Sequence, residues 1–172
     1  MIKLNYLQGM KNIVTVLLAF LLLTNLSACA QAKDMHSRLT NYNRINLATL
    51  NADILTLVNQ HRRAMGLNDL QMIDVANAEA QQHSVDMVKG RTPFGHDGFE
   101  SRVADIRKAT GFISGAAENV AYGNLTAAEV VDGWLHSPGH KKNIEGAYNL
   151  TGIGTVQRED GVIFFTQIFI KK

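Results

Sequence analysis

The stretch Val162–Ile170 is apolar on both of its faces. Val162, Phe164, Ile168 and Ile170 alternate toward one side, and Ile163, Phe165 and Phe169 toward the other. A strand of this kind belongs in the middle of a sheet, with cover above and below. Gly152 to Arg158 reads as a partner strand, and Glu159-Asp160-Gly161 joins the two, Asp-Gly being a strong hairpin signal. The chain therefore needs layers on both faces of its sheet, and these have to come from upstream.

The upstream sequence supplies helices. Leu47, Leu50, Ile54, Leu57, His61 and Met65 fall at spacings of three and four, which predicts one helical face. Gly66 closes it, since glycine adopts positive φ without steric cost. A second helix is expected from Asp74 as N-cap, with Ile73, Ala76, Ala80, His83 and Met87 in one stripe and Gly90 at its end. His83, in line with apolar residues, reads as a core histidine. Phe99, Val103 and Ile106 predict a short third helix stopping before Gly111. Thr126-Ala127-Ala128-Glu129 is a capping box. It opens a fourth helix through Val130 and Trp134 that must end near Ser137-Pro138, because proline disfavours helix in the residue before it. Three or four helices on the two faces of a small, largely antiparallel sheet give an α+β fold, a three-layer α-β-α sandwich.

The N-terminus has a different purpose. Lys3 and Lys11 precede Ile13 to Leu23, apolar throughout except Thr15, and small residues follow at Ser27, Ala28, Cys29 and Ala30. The run is about half of the ~20 residues that span a bilayer, so it reads as the core of an export signal. Leu26-Ser27-Ala28-Cys29 resembles a bacterial lipobox, in which the cysteine becomes the first mature residue and carries a diacylglycerol. The alternative is cleavage at Ala30-Gln31-Ala32, which releases a soluble product. The expected organisation is a signal peptide with lipobox over 1–29, a polar tether and the start of the first helix over 30–49, and the domain over 50–172. The expected location is the cell envelope, anchored by lipid at Cys29 and facing outside the cytoplasm, with a soluble exported protein as the alternative. About 140 residues then remain, which suits one domain able to bury about 68% of its unfolded surface without disulfides. The single cysteine allows no internal disulfide. The formal net charge is only +2, and the basic pairs Arg62-Arg63, Lys141-Lys142 and Lys171-Lys172 read as solvated surface. Nucleic acid is excluded as a partner on this balance, and a monomer is expected.

Two glycine-rich segments are unusually polar for their positions. Phe94-Gly95-His96-Asp97-Gly98-Phe99 joins two helices, and Trp134 to Ile144 follows the fourth. Between them Ala117-Glu118-Asn119-Val120-Ala121-Tyr122-Gly123 is strand-like, interrupted by a carboxylate that is costly to bury without partners. The loop histidines are the candidate partners. Two imidazoles, one carboxylate and an open position make a zinc-like set, although spacing alone does not single it out. His136 and His140 have the i, i+4 spacing of a metalloprotease pair, but Ser137, Pro138 and Gly139 deny the glutamate and the continuous helix that motif needs. His136 reads as a surface residue. Ser137 as a nucleophile with His140 as base lacks a G-x-S-x-G elbow.

The order of these segments resembles the CAP superfamily, which includes pathogenesis-related proteins, cysteine-rich secretory proteins and venom allergens, and within it the short bacterial branch. The resemblance runs through Val58 to Arg62 with Gly66-Leu67, Gln82-His83-Ser84 with Met87, Phe94-Gly95-His96, Ala117 to Gly123, Trp134 to Ile144, Thr151 to Gly154, and Phe165 to Phe169. It implies an α–β–α sandwich with a cavity of two histidines and two acids, where some members bind zinc or another divalent cation at the histidines. Carried over, the histidines are His96 and His140 and the first acid is Glu118. The second acid of eukaryotic members falls on Ser137, which departs from the pattern, and a hydroxyl is a poor zinc ligand. The resemblance implies an exported binding domain, its partner a lipid, a cell-wall fragment or an envelope protein. A metal-dependent hydrolase using His96, His140 and Glu118 is the alternative. A third reading makes the cavity purely structural.

Overall fold

The computed structural model describes residues 46–172; the export signal, Cys29 and the tether lie outside them. Ile45–Lys172 forms a compact unit of its own. The elements run α1 (Leu47–Ala64), β1 (Gln71–Met72), α2 (Asp74–Val88), α3 (Phe99–Thr110), β2 (Gly115–Gly123), α4 (Ala127–His136), α5 (Pro138–Ile144), β3 (Leu150–Gln157) and β4 (Ile163–Lys171).

The sheet order is β1-β3-β4-β2. β4 pairs antiparallel with both β3 and β2, and only the two-residue β1 runs parallel, beside β3. The doubly apolar strand is thus central, as its alternation requires. On one face Phe165 and Phe169 pack with Leu50, Ile54 and Val58 of α1, Val130, Val131 and Trp134 of α4, and Ile144 of α5. On the other, Ile168 and Ile170 pack with Ala76 and Ala80 of α2 and Val103 and Ile106 of α3. The result is a three-layer α-β-α sandwich.

Local signals account for most helix ends. Asn46 caps α1 through Oδ1, which accepts from Ala48 N at 3.1 Å. Thr126 and Glu129 form the reciprocal capping box of α4. Asp74 is the first residue of α2 and not its cap, a position occupied by Ile73 without a side-chain bond. Its carboxylate instead favours the positive end of the helix dipole. The buried face of α1 also differs from the expected stripe. It carries Leu50, Ile54, Val58, Asn59 and Arg62, while Met65 is exposed. Two of those five are polar, so a count of apolar residues misplaces the face.

Gly152 and Gly154 let α2 lie directly on β3. A Cβ at Gly152 would stand 2.0 Å from the Ala76 carbonyl carbon, and one at Gly154 would stand 2.2 Å from Gln81 N. Beyond β1, the outer edge of β3 is covered by side-chain amides. Ile153 N donates to Asn77 Oδ1 at 3.0 Å, and Asn51 Nδ2 donates to Ile153 O at 3.1 Å. Thr155 N donates to Gln81 Oε1 at 3.1 Å and Gln81 Nε2 returns a bond to Thr155 O at 3.3 Å. An unpaired strand edge is thereby concealed. Among the described residues, no helix is long and apolar enough to cross a membrane.

Candidate functional site

The site forms around edge strand β2. Its alternation turns Glu118 toward the α2/α3 layer, where the side chain is buried. Arg102 of α3 meets it in a two-pronged pair, Nε donating to Oε2 at 2.9 Å and Nη2 to Oε1 at 2.8 Å. Nη1 of Arg102 also donates to Asp97 O at 2.8 Å, tying down the loop before α3. Paired and charge-assisted bonds of this geometry are strong, and they offset the cost of burying both charges. Arg102 was not among the residues singled out in the sequence. It occupies the same helical stripe as Phe99, Val103 and Ile106, and a charge on an apolar stripe calls for a buried partner.

His96 is the other partner of Glu118. Its Nδ1–H donates to Glu118 Oε1 at 2.9 Å. A carboxylate held by a guanidinium only accepts, so a proton of the imidazole sits on Nδ1. About half of the His96 side chain is open to solvent. The loop carrying it is pinned by His83, whose Nε2–H donates to Gly95 O at 2.9 Å. His83 is buried in α2, as its apolar neighbours suggested, and lies 3.9 Å from Glu118 Oε1. Burial pushes its pKa below the usual histidine value, against the opposing pull of the Gly95 carbonyl.

His140 approaches from the other side of β2. It belongs to α5, a seven-residue helix with Pro138 at its start, and not to an open loop as the sequence suggested. Proline at a first helical position costs no hydrogen bond and presets φ. Asn143 of the same helix docks on the strand edge, Nδ2 donating to Glu118 O at 3.2 Å and to Asn119 Oδ1 at 2.9 Å. Asn119 Nδ2 in turn donates to His140 O at 3.2 Å. Burial, then the nearby His96 imidazole, hold the His140 pKa below its ordinary value. Of the two histidines expected to partner Glu118, His96 does so by hydrogen bond, and Arg102 is the other partner.

Ser137 sits half-buried where α4 passes into α5, and it caps α5 without a side-chain bond. His136 is exposed, its Nδ1–H donating to Asp132 O at 2.9 Å. Arg62, read in the sequence as solvated, is buried. Nε donates to Asn68 O at 2.8 Å, Nη1 to Ile144 O at 2.6 Å and Gly146 O at 2.9 Å, and Nη2 to Tyr148 O at 3.0 Å. It therefore fastens the segment after α5 to the end of α1. His61 adds a second link, 2.9 Å from Glu145 Oε1.

The donor set that results is two imidazoles backed by one carboxylate whose oxygens are already bonded. Among the described residues, no group of three or more histidine, cysteine, aspartate or glutamate side chains is arranged to hold a metal. Two imidazoles and a carboxylate already bonded do not make up the three protein ligands of a catalytic zinc. Glu118 suits the place of an outer-shell acceptor that orients an imidazole.

The model of the cysteine-rich secretory protein (CAP) family matches residues 55–169, which include every residue of this site. The chain belongs to the CAP family. The chain is also similar to the uncharacterized protein YkwD of Bacillus subtilis, 37% identical over 121 residues that cover 69% of this chain and 46% of YkwD. The uncharacterized membrane protein YlbC of the same organism is 32% identical over 127 residues, covering 72% of this chain and 35% of YlbC. The chain thus spans less than half the length of either curated CAP relative. Among solved structures, an extracellular SCP-domain protein of Bacillus anthracis superposes with a TM-score of 0.62 at 26% identity, covering 73% of this chain and 41% of that one.

Proposed function

We propose that this CAP-domain protein is an exported binding module, held to the membrane by lipid at Cys29, with its ligand site at His96 and His140. The observation that carries the reading is the Arg102–Glu118–His96 chain. It commits Glu118, the carboxylate at the centre among the described residues, to an arginine and to holding an imidazole in place, which disfavours it as a general base or a ligand. For that reason the hydrolase reading is set second. A divalent cation such as zinc, where bound, rests on His96 and His140 and supplies a positive point for a ligand's oxygen. Export is supported by the apolar run ending at Cys29, by the extracellular B. anthracis protein and by the membrane protein YlbC. The ligand classes are a lipid, a cell-wall fragment or an envelope protein.

The test uses the full chain expressed in a native host. The protein is expected in the detergent phase and Cys29→Ser in the aqueous phase or unprocessed, with a small molecule co-purifying in mass spectrometry and lost in His96→Ala. A soluble wild type overturns the anchor. Peptide or ester hydrolysis that requires Glu118 overturns the binding reading.

A further inference from the structure

The hairpin end of the sheet carries a row of aromatic groups that the histidine pair does not use. Phe164 of β4 is buried with Met87 and Val120 in a small separate core. Tyr122 of β2 stacks on it, ring centroids 5.6 Å apart and planes at 22°. Phe94 meets Tyr122 edge-on at 4.8 Å. Rings that close a small core usually turn inward, yet Phe94 is 47% and Tyr122 57% exposed. At one end of the row the Arg158 guanidinium lies 5.4 Å from the Phe164 centroid. Its charge is matched by Asp160 through contacts of 3.0, 3.1 and 2.7 Å. At the other end, two residues beyond Phe94, stands His96, held through Nδ1 by Glu118.

The strip is polar, then aromatic, then polar, and its polar ends bring no net charge. A polyanion finds no unmatched cation here, which sets nucleic acids and acidic polymers aside. A lipid tail needs a concave site that covers most of it, and these rings lie over a filled core. Exposed rings held in fixed geometry suit a partner with a flat C–H face, and the Arg–Asp pair suits hydroxyl groups around its rim. We infer that Phe94 and Tyr122 form a stacking platform for a neutral polysaccharide. Its sugar hydroxyls bond to the Arg158–Asp160 pair beside the rings. This rests on the reading of the domain as a binding module and names the class of ligand for it.

The experiment uses the Ile45–Lys172 unit, which contains all three apolar clusters of the described fold. Isotope-labelled protein is titrated with the β-1,4-linked tetramer of N-acetylglucosamine and the α-1,4-linked tetramer of glucose. A second arm uses phosphatidylglycerol vesicles. Saturable amide shifts are expected at Phe94, His96, Tyr122 and Arg158 with at least one saccharide. Phe94→Ala and Tyr122→Leu should each weaken binding about tenfold, and Phe112→Ala, at an exposed ring elsewhere, should leave it unchanged. Tyr122→Leu keeps cover over Phe164, so its loss of binding reports the missing ring and not a misfolded core. Absence of saturable shifts with both saccharides, or shifts that survive both platform substitutions, overturns the platform. Shifts with vesicles alone overturn it while leaving a binding module; silence in every arm counts against both.

Discussion

Two arginines decide much at the residue scale, and both lie on helical stripes otherwise apolar. Arg62 continues the row Leu50, Ile54, Val58, and Arg102 stands beside Val103 in the row from Phe99 to Ile106. A scan for apolar periodicity passes over each of them, although a buried charge is where partners must be sought. For Arg102 the partner was visible in Glu118, the one carboxylate in a strand-like stretch. Among the described residues Arg62 bonds only backbone carbonyls and no carboxylate, which no residue pattern announces. Arg62→Met is expected to lower unfolding free energy by about 2–4 kcal/mol, because it orphans several buried acceptors at once, and denaturant titration reads that loss. Arg62→Lys should recover little of it, since one ammonium cannot reach carbonyls spread over a fork. Two histidines give a pH dependence. His83 and His140 both have pKa values lowered from the usual 6.5, so the unfolded chain takes up their protons first. Their contribution is complete above about pH 6.5 and is lost as pH falls through the lowered folded values. Urea midpoints should therefore be flat above neutrality and decline below it, with a smaller decline in His83→Gln; an equal decline in both proteins contradicts this assignment.

At the scale of elements, the legible ones were those with a local device. The capping box of α4, the doubly apolar pattern of β4 and the stripe of α2 each sit within one stretch of chain. α5 has no such device. Its first turn is Pro138-Gly139-His140, and it is held by Asn143 against the edge of β2, a contact between distant segments. β1 is equally silent, two residues paired to β3 through Leu150 and Thr151. The glycines of β3 belong here too. They are where the α2 backbone comes closest. Gly154→Ala should cost at least about 3 kcal/mol, since the clash is with helix backbone and cannot be relieved by a rotamer change. A thermal midpoint close to wild type would mean that α2 sits farther from the sheet than described.

For the whole molecule, one edge strand carries the site between two layers. Glu118 is gripped from the α2/α3 layer by Arg102 and His96, while α5 brings His140 and Asn143 to the strand's outer edge. Of the four positions drawn from the CAP resemblance, His96 and Glu118 are directly joined, His140 stands close enough to feel His96, and Ser137 remains a helix junction. Glu118, on this reading, orients His96 and is not itself a metal ligand. Zinc titration of the Ile45–Lys172 unit by calorimetry tests this most directly. The account predicts weak saturable binding that is lost in His96→Ala and in His140→Ala but retained in Glu118→Gln, whose amide oxygen can still accept from His96 Nδ1. Binding abolished by Glu118→Gln in a folded protein, or binding indifferent to both histidines, would contradict it.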